Sequence, residues 1–142
     1  MQINSPDPRF LDANLIMYAL GGAHPLRDSC KGILEQIKVG RIQVVTNTEV
    51  LQEILYRYFS IKKSALGEIA YTSVVGFCNR IFPVKVEDTD KALELLKRHP
   101  TVTTRDAIHA ATMINNGITE ILSTDTHFDL IPGIKRIDPA RR

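Results

Sequence analysis

The 142 residues, 44% of them hydrophobic and 24% charged, have the composition of an ordinary globular chain, which excludes an intrinsically disordered or fibrous protein. Eighteen Lys and Arg residues against sixteen Asp and Glu residues leave a formal charge of +2, too small for a protein that coats nucleic acid electrostatically. The length is that of one domain, so we expect residues 1–142 to form a single domain.

The first half of the chain predicts two short strands and four helices. A strand ends at Asp12, and the helix after it stops at the Gly21-Gly22 pair. A β-branched run beyond Gly40 predicts the second strand. In chain order, the predicted elements are a strand at 9–12, helices at 14–20 and 25–40, a strand at 42–45, and helices at 48–60 and 62–80.

The second half predicts three strands and two helices. Pro100 and Gly117 supply the stops of the two helices. The predicted elements are a strand at 82–86, helices at 89–98 and 103–116, and strands at 120–123 and 135–137. Because helices separate the strands and no two-residue hairpin turn joins them, the sequence predicts an α/β protein, a three-layer α/β/α sandwich with a mainly parallel central sheet.

We expect a cytoplasmic protein with no membrane segment. The start, MQINSPDPRF, has no charged end followed by a long apolar stretch, as a secretory signal would. The longest apolar segment, residues 13–20, is shorter than the ~20 residues of a membrane helix. Cys30 and Cys78 lie in predicted helices without the spacing of a zinc site, so we expect reduced, mostly buried thiols.

Four acidic residues stand in distinctive contexts, which are FLDANLI around Asp12, EVLQEILYR around Glu53, TTRDAIHAA around Asp106 and LSTDTHFD around Asp125. Each also has a purely structural interpretation. Asp12 and Asp125 could cap the turn or helix that follows them. Asp106 could close a capping box with Thr103, and Glu53 could be a solvated helix residue.

Together the four acids indicate a metal site. In a parallel sheet the functional crevice lies beyond the carboxyl ends of the strands, and Asp12 and Asp125 both follow predicted strands. Carboxylates that converge repel one another unless a cation neutralises them, and Mg²⁺ and Mn²⁺ prefer oxygen ligands. The chain contains no HExxH, GxSxG or GxxxxGK[ST] motif. The sequence therefore predicts phosphodiester hydrolysis that depends on Mg²⁺ or Mn²⁺ and uses no protein nucleophile.

The segments LDAN, VLQEILY, RDAIHAA and STDTHFDLIPGIKRIDP, in this order, resemble the PIN-domain ribonucleases, and among them the VapC-type toxins of prokaryotic toxin–antitoxin pairs. The similarity covers about residues 9–139. The resemblance implies that Asp12, Glu53, Asp106 and Asp125 are the metal-binding and catalytic acids of an endoribonuclease. It also implies an RNA substrate, a cognate antitoxin that covers the acidic groove, and a homodimer formed through helices early in the chain.

Two points qualify this resemblance. Ala13 stands where many relatives have a hydroxyl residue, which puts a supporting hydrogen bond in question but not the metal site. Glu49 and Glu53 lie on one helix face, four residues apart, and either one could be the ligand. We prefer Glu53 because it lies inside the apolar pattern VLQEILY, where an unpaired carboxylate needs a reason.

The residues around the acids allow several interpretations. Asn14 could bind phosphate or a water at the metal, or serve as a turn residue. Ser123 or Thr124 could orient Asp125 or simply end the strand. His109 could be a general base, and we interpret it instead as a packed histidine that holds its helix to the sheet.

Other residues receive weaker predictions. The basic residues expected either at the rim, in contact with phosphate, or as solvated helix charges are Arg57, Lys62, Lys63 and Arg105. Asp129 is expected to form a turn, with the rim of the site as its alternative. No role is assigned to His24, His99 and His127. The apolar residues between Leu51 and Phe59 exceed one helix face, and we expect some of them to contact a partner.

Two other functions remain open. An aspartyl-phosphate phosphotransfer domain or phosphatase also uses strand-end aspartates and Mg²⁺. The pattern Asp12-Ala13-Asn14 opposes it, because a second Asp is expected two residues after the first. A catalytically inactive binding module of the same fold is opposed by the retention of all four acids.

Overall fold

The computed structural model describes residues 7–141, which contain five strands and six α-helices. The first six elements are β1 (Arg9–Leu11), α1 (Ala13–Leu20), α2 (Arg27–Lys38), β2 (Val44–Asn47), α3 (Thr48–Ser60) and α4 (Ser64–Phe77). The remaining elements are β3 (Cys78–Phe82), α5 (Val86–Arg98), α6 (Thr104–Asn115), β4 (Glu120–Leu122), a 3₁₀ helix (Thr126–Leu130) and β5 (Lys135–Ile137). Over this range, no helix has the length and apolar character needed to cross a membrane.

The strands form one sheet in the order β3-β2-β1-β4-β5, and all pairings within residues 7–141 are parallel. β1 lies at the centre, with Arg9 opposite Val44 of β2 and Phe10 opposite Ile121 of β4. Every residue of β1 and β2 is buried, as expected of strands covered by helices on both faces. The predicted α/β/α sandwich is confirmed.

The strand order creates a crevice at one edge of the sheet. From β1 the chain builds outward through β2 to β3, and it then returns to add β4 and β5 on the opposite side of β1. The order therefore reverses between β1 and β4, and at such a reversal the loops beyond the strands diverge and leave a cleft. Asp12 directly follows β1, and Asp125 lies three residues after the end of β4.

The helices form two packed groups. Helices α1 to α4 contact one another, while α5 packs against α6. The contact between α3 and α4 is close at Gly67, where an added Cβ would lie only 2.7 Å from the Cβ of Tyr58. This close approach fixes α3, the helix that carries Glu53, against its neighbour.

The third strand is where the sequence prediction was wrong. We predicted a helix at 62–80 and a strand at 82–86, whereas α4 ends at Phe77 and β3 occupies Cys78–Phe82. The helix runs straight into the strand at Cys78, whose extended backbone needs no Gly or Pro. Pro83 then ends the strand, because it has no N–H for the ladder. Cys78 is therefore in a half-buried strand position, whereas Cys30 is in a helix and buried, and both are free thiols.

Candidate active site

The four acids predicted from the sequence line a single cleft of about 380 Å³. We call it the acidic cleft, and its lining residues are Asp12, Asn14, Met17, Glu53, Tyr56, Arg57, Thr103, Arg105, Asp106 and Asp125. Two groups of atoms within it are compact enough to share a cation. The ligand atoms of Asp12, Glu53 and His109 lie within 4.8 Å of one another, and so do those of Asp106, Asp125 and His127.

Asp12 is held by donors on both carboxylate oxygens. Its Oδ1 accepts from the Ala13 N–H at 2.7 Å, so Asp12 does cap α1. Its Oδ2 accepts from Asn14 Nδ2 at 3.1 Å and from the Ser123 hydroxyl at 2.6 Å. Burial raises the pKa of Asp12, although His109 and the bonds from Ser123 and Ala13 oppose the rise. Asp12 therefore has a hydrogen bond from a hydroxyl group, that of Ser123, although position 13 is an alanine.

Glu53 points from α3 toward the acidic cleft with a side chain only 12% exposed. Its Oε1 lies 2.5 Å from His109 Nε2, and its Oε2 lies 3.7 Å from Arg105 Nη1. Glu49 lies one turn earlier on the same helix and is not among the residues that line the cleft. Burial is the main cause that raises the pKa of Glu49. Between the two acids, the geometry favours Glu53 as the residue that faces the site.

Asp106 has a buried oxygen without a partner. Thr103 caps α6 through its hydroxyl, which accepts from the Asp106 backbone N–H at 3.2 Å. The carboxylate is not needed for this cap, and its Oδ2 has no hydrogen-bond partner among residues 7–141. Burial, together with the neighbouring Asp125 carboxylate, raises the pKa of Asp106 to about 9. A buried, unpaired carboxylate oxygen beside other carboxylates fits a bound cation.

Asp125 is surrounded by donors instead. Its Oδ1 accepts from the backbone N–H of His127 at 2.9 Å and from His127 Nδ1 at 2.8 Å. Burial alone would raise the pKa of Asp125, but its hydrogen bonds with Asp106 and His127 outweigh burial and lower it. The Asp125 N–H donates to the Ser123 hydroxyl at 3.0 Å, so Ser123 connects Asp125 with Asp12.

The composition of the acidic cleft suits a divalent cation and an anionic substrate. All four acids present oxygen atoms, which Mg²⁺ and Mn²⁺ prefer, and a cation would relieve their mutual repulsion. Of the predicted basic rim residues, Arg57 and Arg105 line the cleft. Lys62 and Lys63 lie in the turn between α3 and α4 and do not line it.

The comparisons with known proteins agree with this geometry. The family model described as PIN domain matches residues 9–134. The chain belongs to the PIN-domain family. A VapC ribonuclease of Mycobacterium bovis is 37% identical to it over 127 residues, which are 89% of this chain and 97% of that protein. Ribonuclease VapC23 of Mycobacterium tuberculosis is 34% identical over 116 residues, or 82% of this chain and 91% of the relative.

Solved structures of PIN-domain toxins share the fold. VapC20 of Mycobacterium tuberculosis, described as a sarcin–ricin loop cleaving toxin, gives a TM-score of 0.71 at 19% identity over 85% of this chain and 92% of VapC20. VapBC2 from Rickettsia felis, bound to a promoter DNA fragment, gives a TM-score of 0.69 at 20% identity, with 92% of this chain and 98% of that chain covered. At such identities the likeness concerns the fold.

Sequence reasoning missed or understated three residues of this PIN domain. His127, to which no role was assigned, binds Asp125 through both its ring and its backbone. Ser123 or Thr124 was expected either to orient Asp125 or to end the strand, and the Ser123 hydroxyl binds both the Asp125 backbone N–H and the Asp12 carboxylate. Asn47 was not singled out, although it touches His109 in the core. The motif STDTH contains Ser123 and His127, but nothing in the sequence marks Asn47.

His109 is a packed histidine between its helix and the sheet, in agreement with the sequence analysis. It is fully buried, its ring lies 5.3 Å from the ring of Phe10, and it contacts both Asn47 and Glu53. Burial lowers the pKa of His109, but the Glu53 hydrogen bond and the surrounding carboxylates outweigh burial and raise it. If the first ring proton lies on Nε2, toward Glu53, a second one would have to bind Nδ1. Nδ1 faces the amide N–H of Asn47, and this donor disfavours a proton on Nδ1.

Two further residues named from the sequence, Asn14 and Asp129, make defined contacts. Asn14 binds Asp12 and Ser123 through its amide nitrogen and accepts from the Thr124 N–H at 3.3 Å, so it ties the loop after β4 to α1. Asp129 pairs with Arg136 at 3.0 Å and is not among the residues that line the cleft.

Proposed function

We propose that this PIN domain is a cytoplasmic, single-domain endoribonuclease of the toxin type, in which Asp12, Glu53, Asp106 and Asp125 hold Mg²⁺ or Mn²⁺. The observation that carries the proposal is the convergence of four carboxylates in one cleft, together with the buried, unpartnered Oδ2 of Asp106. The relatives named VapC ribonucleases, which match nearly the full length of the chain, support RNA as the substrate.

The protein residues position the reactants. Ala13, Asn14 and Ser123 fix the Asp12 carboxylate, and His127 fixes that of Asp125. When bound, a divalent cation lowers the pKa of a water and neutralises charge that develops on the phosphate. The four acids, two of them after strands β1 and β4 and two on helices α3 and α6, set where the scissile phosphate lies.

The substrate we propose is single-stranded or looped RNA. Arg57 and Arg105 stand at the edge of the acidic cleft, where guanidinium groups can bind the phosphates on either side of the scissile bond. Tyr56 lines the same cleft and is 71% exposed, which offers an aromatic face for an unpaired base. A base can reach such a side chain only where the RNA is unpaired.

The aspartyl-phosphate alternative is not favoured. A phosphorylated aspartate of this kind is expected to have a second aspartate two residues later, and that position here is Asn14. The family and its named ribonuclease relatives also point to hydrolysis of phosphodiester bonds. The inactive-module alternative fails to explain why all four acids line the cleft.

We also propose a cognate antitoxin and a homodimer as partners. VapBC toxin–antitoxin complexes are among the structures with the same fold. Leu55 and Phe59 of α3 are 42% and 57% exposed and line a shallow groove against α4, next to the exposed Tyr56 of the acidic cleft. Light scattering of the purified chain should give twice the monomer mass, and a monomer at all concentrations would contradict the dimer.

The function is tested on purified protein with a mixed RNA pool. We expect cleavage with Mg²⁺ or Mn²⁺, none in EDTA, and no requirement for Zn²⁺, with cut ends mapped to unpaired segments. Glu53→Gln should lower kcat/KM by about two orders of magnitude, because it removes a charge that faces the cation. The matched variant Glu49→Gln should change kcat/KM by less than about threefold, because Glu49 does not line the cleft.

Two outcomes would refute this function. Undiminished cleavage in EDTA would exclude a metal-dependent mechanism. Equal losses in Glu53→Gln and Glu49→Gln would remove the assignment of Glu53.

A further inference from the structure

Behind Glu53 lies a chain of three fully buried polar side chains, Asn47, His109 and Thr112. Asn47 ends β2 and caps α3, because its Oδ1 accepts from the Val50 N–H at 3.0 Å. Its Nδ2 lies 3.0 Å from Thr112 Oγ1 and 3.2 Å from His109 Nδ1. On the opposite side of the ring, His109 Nε2 lies 2.5 Å from Glu53 Oε1.

The direction of each hydrogen bond among these side chains follows from the bond between the Val50 N–H and Asn47. A backbone N–H can only donate, so Val50 requires the Asn47 oxygen and turns the Asn47 NH₂ group toward the other side chains. Thr112 donates its own proton to a backbone carbonyl of its helix at 2.9 Å, and it therefore accepts from Asn47. His109 Nδ1 also receives a donor, so it carries a lone pair and the ring proton lies on Nε2. Nε2–H then donates to the Glu53 carboxylate.

We propose that Asn47 keeps the ring proton of His109 on Nε2, so that Nε2 can only donate to Glu53. His109 is thereby the positioning residue that holds the Glu53 carboxylate in the acidic cleft. This inference rests on the proposed role of Glu53 as a cation ligand. It excludes two other roles for His109, because an Nε2 that carries the ring proton has no lone pair with which to bind a cation or accept a proton from water.

Glu53 needs such a partner because of its neighbours. Asp12 Oδ1 lies 4.0 Å from His109 Nε2, so the two carboxylates stand close to each other and repel. A fixed donor opposes rotation of the Glu53 side chain away from the cleft, and it leaves Oε2, near Arg105, to face a cation. Asp106 precedes His109 by three residues on α6, so the same bond also couples the two helices that supply Glu53 and Asp106.

The direction of the bonds is tested in metal-free protein by long-range ¹H–¹⁵N correlation spectra of labelled histidine, which distinguish protonated from unprotonated ring nitrogens. We expect His109 to be protonated at Nε2 only. Asn47→Asp keeps an oxygen to cap α3 but replaces the N–H donor with an acceptor, so Nδ1 should gain a proton. Thr112→Val is the control that leaves the Asn47–His109 bond in place, and its pattern should match the wild type. A proton on Nδ1 in the wild type would overturn the inference.

The positioning role is tested by Mn²⁺ titration calorimetry without RNA, beside thermal unfolding. His109→Gln and His109→Asn are a matched pair, because the Gln amide nitrogen extends toward the place of Nε2 and the Asn amide only toward that of Nδ1. We expect His109→Asn to weaken Mn²⁺ binding about 10–100-fold, as for other hydrogen-bond partners of metal ligands, and His109→Gln to restore it to within about threefold. Equal losses would make His109 a ligand, and unchanged affinity in both would exclude positioning.

Asn47→Asp provides a second variant with the native histidine. An additional proton on the ring would repel a cation, and a lone pair on Nε2 would repel Glu53, so Mn²⁺ binding should weaken in either case. Wild-type protein that binds Mn²⁺ but cuts no RNA would contradict the proposed function alone, because the positioning role is measured by binding. Wild-type protein that binds no Mn²⁺ would overturn both.

Discussion

Asp106 and Asp125 face the same cleft, yet their surroundings shift their pKa values in opposite directions. The donors of His127 and the bond with Asp106 lower the pKa of Asp125 against the effect of burial. Burial and the Asp125 charge raise the pKa of Asp106 to about 9, and its Oδ2 lacks a partner within residues 7–141. In the metal-free protein the two carboxylates therefore share a single proton at neutral pH.

Asp106→Asn should stabilise the metal-free protein and abolish RNA cleavage. The Asp106 pKa is about 9 in the folded state, against an ordinary aspartate value of 3.8, so ionisation favours the unfolded state, and stability falls between about pH 4 and pH 9. Asn removes this penalty, so the variant should have a higher Tm than the wild type at pH 8, by at least roughly 4 °C, and no higher Tm at pH 4. Thermal unfolding in EDTA across this pH range measures it.

The control for this experiment is Asp90→Asn, on the exposed face of α5, which should change neither Tm nor cleavage. A loss of stability in Asp106→Asn at pH 8, with cleavage retained, would instead show that the acid only supports the start of α6. We do not expect this result, because the Thr103 hydroxyl caps α6 through the backbone N–H of Asp106 and not through its carboxylate.

At the scale of the elements, the sequence predicted most boundaries to within two residues and failed where a helix and a strand join without a turn. The α3 bounds, Thr48–Ser60, agree with the helix predicted at 48–60. β3 is an edge strand with polar and partly exposed positions, so it lacks the apolar run by which β2 was recognised. Its pairing with β2 is a tertiary contact, which a local pattern does not contain.

The close contact between α3 and α4 predicts opposite effects for two glycines of α4. Gly67→Ala places a Cβ 2.7 Å from the Cβ of Tyr58, and we expect a loss of about 1–3 kcal/mol in the free energy of unfolding. Gly76→Ala meets nothing within 4 Å and should gain up to about 1 kcal/mol from helix propensity. Urea unfolding of both variants measures the difference. Equal effects of the two substitutions would show that α3 and α4 can move apart at no cost in free energy.

For the molecule as a whole, the sequence predicted which acids meet but not what holds them. The positions of Asp12 and Asp125 after strands of a parallel sheet were enough to predict that the two residues meet. Ser123, which binds both, lies 111 positions from Asp12 in sequence, and a contact at that separation has no local signature. The bond between Asn47 and His109 joins β2 to α6 in the same way.

Because the four acids are assembled only by folding, Mn²⁺ should stabilise the whole fold. The unfolded chain holds the acids far apart and binds the ion weakly, so at about 100 times its Kd the ion adds roughly 2.7 kcal/mol to the free energy of unfolding. We expect Tm to rise with Mn²⁺ in the wild type and in Glu49→Gln, and to rise much less in Glu53→Gln. Differential scanning calorimetry over a Mn²⁺ series measures this. A Tm that is independent of Mn²⁺ in the wild type would mean that the acidic cleft is formed but holds no ion, and the repulsion among its carboxylates would then need another source of compensation.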